Sequence, residues 1–272
     1  KMKNKRVLTI SFWICSIILT FLISYYQKLT GPTYPVDVDI IINKSEVKAV
    51  FPRSHPGEGA EIIKVYAPNT SLIGEMKFKR YKSYDKWTSV EMARQGDTLI
   101  AEIPHQPPAG KVEYQVFLND ETNTKVPLTE YPLIIRFRAD VPAVSMILHI
   151  IFIFAAFLLS FRTGFEVVFK LENTYKLTIF TVIFIILGGF VFGPIMQKYA
   201  FDAFWTGWPF GSDMTDNKTL IGLIFWLIAL WKLHKNRYER KWVIIAAVVM
   251  LIVFLIPHSM FGSEIDYTKI EK

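Results

Sequence analysis

Residues 141–161 read VPAVSMILHIIFIFAAFLLSF, 21 positions without Asp, Glu, Lys or Arg. A helix needs about 20 apolar residues to cross the hydrocarbon core of a bilayer, so this stretch is long enough to span one. Working outward, the same test selects 7–26 (20 residues), 177–197 (21) and 242–263 (22), with a shorter run at 219–231 (13). Thirteen residues make about 20 Å of helix, short of a roughly 30 Å core. Lys218 and Lys232 bracket that run, and lysine stems snorkel outward. Extended to Asn217 and His234, it counts as a fifth span.

Composition agrees with a membrane protein. Hydrophobic residues make up 51% and charged residues 20% of the 272-residue chain, against about a quarter charged in soluble domains. A plain soluble enzyme, a disordered tail and a coiled coil are excluded. The single cysteine, Cys15, excludes an intrachain disulfide scaffold. Residues 7–26 have the basic front of a signal peptide but no small-residue cleavage site after them. Tyr25 and Tyr26 form an interfacial aromatic pair instead, so the segment reads as a retained anchor.

Basic residues mark the cytoplasmic side of a membrane protein. They gather at the N-terminus (Lys1, Lys3, Lys5, Arg6), after the second span (Arg162, Lys170, Lys176) and after the fourth (Lys232, Lys235, Arg237, Arg240, Lys241). With five spans these three clusters fall on one side. Residues 28–140, the loop 198–218 and the C-terminal tail then fall outside. The net charge of +7 therefore reads as a topology signal, and no nucleic-acid partner is implied. The domain expectation is an anchor at 1–27, an extracytoplasmic domain at 28–140 and a four-helix transmembrane domain at 141–272, in a bacterial cytoplasmic membrane.

Residues 28–140 read as β-structure. Short alternating runs at 47–53, 61–67, 74–81, 87–93, 98–103, 111–118 and 133–138 are separated by turn residues such as Pro56-Gly57 and Pro107-Pro108-Ala109-Gly110. Seven such strands predict a β-sandwich. Alternation predicts an inner face of Val65, Met76, Phe78, Trp87, Ile100, Ile103, Val112, Tyr114 and Val116. Residues 99–116, LIAEIPHQPPAGKVEYQV, resemble the late strands of immunoglobulin-like or fibronectin-III-like modules of bacterial extracytoplasmic proteins, where a proline-glycine turn leads into Val-x-Tyr-x-Val. The whole chain resembles bacterial multi-span membrane proteins carrying such a domain. The resemblance implies a sandwich fold and an outside location, and no ligand.

Several groups are functional candidates. Arg53, His55 and Glu58 share a glycine-rich loop suited to docking. Lys77, Lys79, Arg80, Lys82 and Lys86 form a basic strand and turn suited to anionic headgroups. The outer loop 198–218 carries Trp205, Trp208 and Phe210 for the interfacial belt, and Thr215 or Asp216 to cap the following span. Phe210-Gly211-Ser212-Asp213 is echoed by Phe261-Gly262-Ser263-Glu264, so Asp213, Asp216, Glu264 and Asp266 could converge as oxygen ligands for a divalent cation. His149 lies inside a span and His258 at the end of another, which raises haem b ligation, though at mismatched depths. Gly188, Gly189 and Gly193 allow close helix packing, and Gly189-x-x-x-Gly193 allows a homodimer. The spans read as free of internal charge, which argues against a proton relay. No phosphate loop, dinucleotide fingerprint, serine-hydrolase elbow or zinc-protease motif is present.

Three readings follow. The favoured one is a non-enzymatic scaffold or partner-binding subunit of an envelope complex. The second is a small-molecule or lipid transporter or enzyme with an outer-face site of Asp202, Asp213, Asp216 and Glu264. The third is a haem or metal redox subunit using His149 and His258.

Overall fold

A computed structural model describes residues 2–119, 124–258, 260 and 262–270, with side chains from Arg6 onward. The chain divides into two compact units. One comprises Lys1–Pro32 and Val141–Gly262, the other Thr33–Asp140 and Ser263–Lys272. The tail, expected with the transmembrane part, thus groups with the β-unit.

After α1 (Met2–Thr30), the β-unit runs β1 (Val36–Ile42), β2 (Ser45–Phe51), β3 (Ser54–Pro56), β4 (Glu61–Tyr66), β5 (Ile73–Arg80), β6 (Thr88–Glu91), β7 (Ala93–Gln95), β8 (Thr98–Ile103), β9 (Lys111–Asn119), β10 (Lys125–Pro127) and β11 (Leu133–Arg138). One sheet has the order β1-β2-β4-β8-β7. The other has β3-β11-β9-β5-β6, with β10 beside β9. All pairings are antiparallel except β3 with β11. Both sheets contribute to one hydrophobic cluster, from Val47, Ile63, Val65 and Ile103 to Met76, Val116, Ile135 and Phe137.

Two of the expected inner residues lie elsewhere. Period-2 alternation makes Leu99, Ala101 and Ile103 one face, so Ile100 points to the other side. Trp87 precedes β6 and is 41% exposed. The hairpin β1–β2 was not anticipated. Its turn residues Asn43 (φ 50°) and Lys44 (φ 61°) both adopt left-handed backbone, which a two-residue hairpin requires, but without the glycine that usually signals it.

The helical unit holds α1, α2 (Ala143–Val168), α3 (Thr174–Ile185), a π-helical segment (Ile186–Phe192), α4 (Gly193–Phe201), α5 (Met214–Lys235) and α6 (Lys241–Leu255). Three helices are long and apolar enough to cross a membrane: Arg6–Thr30, Ala143–Val168 and the continuous Thr174–Phe201. The helix α5 is 22 residues long but takes in Asp216 and Lys218. The helix α6 is apolar but only 15 residues long, because the 242–263 run leaves the helix before Pro257. A short α7 (Tyr267–Ile270) lies in the tail.

Pro194, in the first turn of α4, lacks the N–H that regular helix would donate one turn back, and the helix rewinds as π just before it. Gly188 and Gly189 lie in this stretch. A Cβ on Gly188 would come 2.7 Å from Ile153 N, and one on Gly189 would strike Thr219 Cγ2. Both glycines are therefore already used for close packing against α2 and α5 of the same chain, and Gly193 sits beside the His149 ring.

Candidate functional site

On β1, β2 and β4 the alternation that buries Val38, Val47, Ala49, Ile63 and Val65 turns their neighbours to the other face of the sheet. There Asp37, Asp39, Lys48, Val50, Ile62, Lys64 and Tyr66, with Pro52, Glu61 and Thr98, line a groove of about 620 Å³. Val50 is 62%, Ile62 46% and Tyr66 41% exposed, and Ile41 on the same face is 77% exposed. Lys48 spans the strands, 2.5 Å from Glu46 and 3.8 Å from Asp39. The result is apolar side chains set among charged ones beside an edge strand, β1, with one side unpaired.

The Arg53 loop adjoins this groove. After Phe51 the chain leaves the first sheet, and β3 pairs in parallel with β11 of the second. Tyr114 donates its hydroxyl to the Pro52 carbonyl at this crossing (2.8 Å). The carboxylate partner of His55 is Glu61, not Glu58 as its loop position suggested; Nδ1 bonds to Oε2. The imidazole also packs 5.0 Å from the Phe137 ring. Arg53 Nε and His55 Nε2 are buried without a hydrogen-bond partner among the described residues.

Glu264 and Asp266 belong to the tail's attachment to the β-unit. Glu264 pairs with Lys82 and, at 2.6 Å, with Lys111. Burial disfavours the Glu264 charge, but hydrogen bonds from Lys111 and Lys82 outweigh it and hold the carboxyl below the usual range. Lys82 is raised by the same bond, whereas burial keeps Lys111 below the ordinary lysine value despite it. Backbone bonds join Ile265 N to Ala109 O (3.2 Å) and Thr268 N to Lys82 O (3.1 Å). Tyr267 lies under the Arg80 guanidinium at 4.6 Å and donates to Gln106 (3.1 Å). Asp266 accepts from Thr268 Oγ1 at 2.5 Å at the start of α7. The basic strand expected to meet headgroups is largely paired within the unit: Lys79 with Glu113, Arg80 with Asp85 and Lys82 with Glu264.

The aromatic loop is organised by two aspartates. Asp213, rather than Thr215 or Asp216, caps α5, accepting from Thr215 N at 2.8 Å. Asp216 Oδ2 accepts from the backbone of Thr206 (2.7 Å) and Gly207 (3.0 Å) and from Gln197 (3.3 Å). Trp205 stacks on Phe190 at 5.4 Å and donates to the Trp208 carbonyl. Trp208 and Phe210 are 68% and 83% exposed. Asp202 ends α4 in left-handed backbone and pairs with Lys198 at 2.5 Å. Asp213 and Asp216 thus sit in the helical unit, and Glu264 and Asp266 in the other. Phe261 of the sequence echo lies outside the described residues. Among the described residues no group of three His, Cys, Asp or Glu is arranged to hold a metal ion.

His149 Nδ1 bonds to the Gly188 carbonyl at 2.9 Å, a carbonyl of the π-helical stretch. His258 is exposed. The spans are not free of charge as expected, because α2 continues past residue 161. Arg162 and Glu166, one turn apart, lie 2.6 Å from each other and are 2% and 0% exposed. Glu166 Oε1 also accepts the Asn173 amide (2.6 Å), and Arg162 faces the Trp13 ring at 5.4 Å. Ser160, Thr163, Thr174, Thr178 and Thr181 are buried in the same unit. An i,i+4 pair of opposite charges at a span's end is readable in sequence, but a charge-free window stops at its first member. Lys218, taken for a snorkelling flank, is 2% exposed and donates to the Ile256 carbonyl at the end of α6 (2.9 Å).

No protein-family model matches the chain, and no curated protein is recognisably similar to it in sequence.

Proposed function

We propose that the chain is a membrane-anchored, partner-binding subunit of a bacterial envelope complex, whose β-unit receives a segment of another protein on the groove across β1, β2 and β4. The exposed apolar side chains Val50, Ile62 and Tyr66 between charged rims carry this reading. An apolar centre with a polar border is how protein interfaces are built. The free edge of β1 adds unpaired backbone groups that an extended segment can join.

The reading takes the β-unit as an immunoglobulin- or fibronectin-III-like sandwich. In its support, β2-β4-β8-β7 and β11-β9-β5 follow the A-B-E-D and G-F-C strand orders of that fold. It also takes five spans, with the N-terminus inside and the β-unit outside the inner membrane. Packing of Ser263–Ile270 with residues 33–140 in one unit supports an even number of crossings between them, which α2, α3–α4, α5 and α6 supply.

A photo-crosslinking side chain at Val50 or Ile62, in intact cells, is expected to give a discrete protein adduct, and one at Tyr84 is not. Equal adducts at all three positions, or none, remove the docking surface. Sidedness is tested separately in a Cys15→Ser background. An impermeant thiol reagent should label Tyr131→Cys in spheroplasts and Tyr238→Cys only after lysis. The reverse pattern overturns the topology.

A further inference from the structure

Between α3 and α5 the helical unit carries a second groove, of about 570 Å³, lined by Tyr175, Ile179, Leu227, Leu230, Trp231 and His234. Its walls are apolar until one end, where Tyr175 Oη meets His234 Nδ1 at 3.2 Å. Cations gather at that end. The Arg237 guanidinium lies 3.1 Å from the Tyr175 ring centre, and Lys235 and Lys232 stand 4.4 and 4.8 Å from that of Trp231. Lys48, Lys79, Lys82, Lys111 and Lys125 of the β-unit each have a carboxylate partner. Among the described residues, Lys232, Lys235 and Arg237 have none. Tyr175 also sits in the first turn of α3, whose start has no side-chain cap, and helix first turns favour negative charge.

A slot that is apolar along its length and cationic at one mouth fits a molecule with a hydrocarbon tail and an acidic head. The volume is in the range of small-molecule sites, roughly 300–1,000 Å³. We infer that this groove binds an anionic phospholipid, with an acyl chain along Ile179, Leu227 and Leu230 and the phosphate against Arg237, Lys235 and the Tyr175–His234 pair. The inference rests on the spanning reading, which puts this mouth at the cytoplasmic leaflet, where anionic lipids supply such headgroups. Trp231, 50% exposed, forms one wall and at the same time holds Lys235 in place, so chain and headgroup recognition share a side chain.

The test is lipid retention by the full chain in mild detergent, read by native mass spectrometry against mixed vesicle lipids. Phosphatidylglycerol should be retained over phosphatidylcholine. Lys235→Gln and Arg237→Gln should each weaken retention about fivefold, near 1 kcal/mol per charge at a membrane surface. Arg6→Gln, a cation outside the groove, should leave it unchanged. Trp231→Ala should weaken retention of both lipids. Inorganic phosphate at the same concentration should not displace the bound lipid; displacement would make the site a phosphate site and overturn the inference. Equal retention of the two lipids, or unchanged retention in both charge variants, would also overturn it. Carbonate extraction of membranes separates the two levels. A chain that stays in the pellet without lipid preference refutes only this inference, while a chain released to the supernatant refutes the spanning reading with it.

Discussion

In the β-unit Val47, Ile63, Val65, Met76, Ile103 and Ile135 are wholly enclosed, and the lysines stand at the surface beside carboxylates. In the helical unit the enclosed residues include Ser160, Arg162, Thr163, Glu166, Thr178, Thr181 and Lys218, while Ile147, Ile151, Phe154 and Ile252 face outward. The same chain obeys opposite rules in its two parts because the surroundings differ. Water rewards hiding methyl groups. Hydrocarbon gives no such reward, and polar groups gather inside where they can meet one another. The contrast can be broken experimentally, at positions where each unit depends on its own rule.

The largest effect is expected at Glu166. Glu166→Ala leaves Arg162 enclosed without its partner, which costs about 3–5 kcal/mol and should appear as a steep fall in the unfolding midpoint in detergent. The double change Arg162→Met with Glu166→Leu should recover most of that loss. If it does not, the pair is more than a balanced charge. In the β-unit Ile63→Ala opens a cavity in an aliphatic core and should cost about 2–5 kcal/mol, measured by denaturant unfolding. A smaller loss, about 1–3 kcal/mol, is expected for Asp216→Ala, which frees the Thr206 and Gly207 amides. Its readout is protease cutting within the aromatic loop, and unchanged cutting would show that the loop is held elsewhere.

The mildest change belongs to the tail. The Glu264 carboxyl is held below its ordinary value, so its stabilisation is complete above the unfolded value of about 4.3 and fades as pH falls through the lower folded one. Hydrogen exchange at Ile265 and Thr268 should therefore rise only on acidification below that range. In Glu264→Gln it should already be raised at neutral pH and nearly flat with pH.

The apolar windows found helices, and the alternating runs found seven of the strands, because both signals are local and periodic. What stayed hidden depended on partners distant in sequence. The β1–β2 turn uses Asn43 and Lys44 where glycine would have announced it. The Asp213 cap competed with Thr215 and Asp216 on equal sequence terms, and only the folded loop chooses between them. Arg162 looked like a loop residue because a charge was taken to end the span. Its compensation, Glu166, sits one helical turn further on, and the burial of both is settled by the packing of α2. Tail docking left no mark in the sequence beyond an acidic residue after a glycine. The groove on β1, β2 and β4 could be anticipated only once β1 itself was known.

The π-helical stretch holds one residue more per turn than its neighbours. Deleting a single codon within residues 186–192 would let the helix regain ordinary winding and turn everything after it by about 100°. The Gln197 amide, which donates to Thr206 Oγ1 at 2.7 Å, would then swing off its acceptor. A frame-preserving deletion in the middle of a greasy helix would thus unfasten the tryptophan hairpin beyond it, without altering any residue of the hairpin.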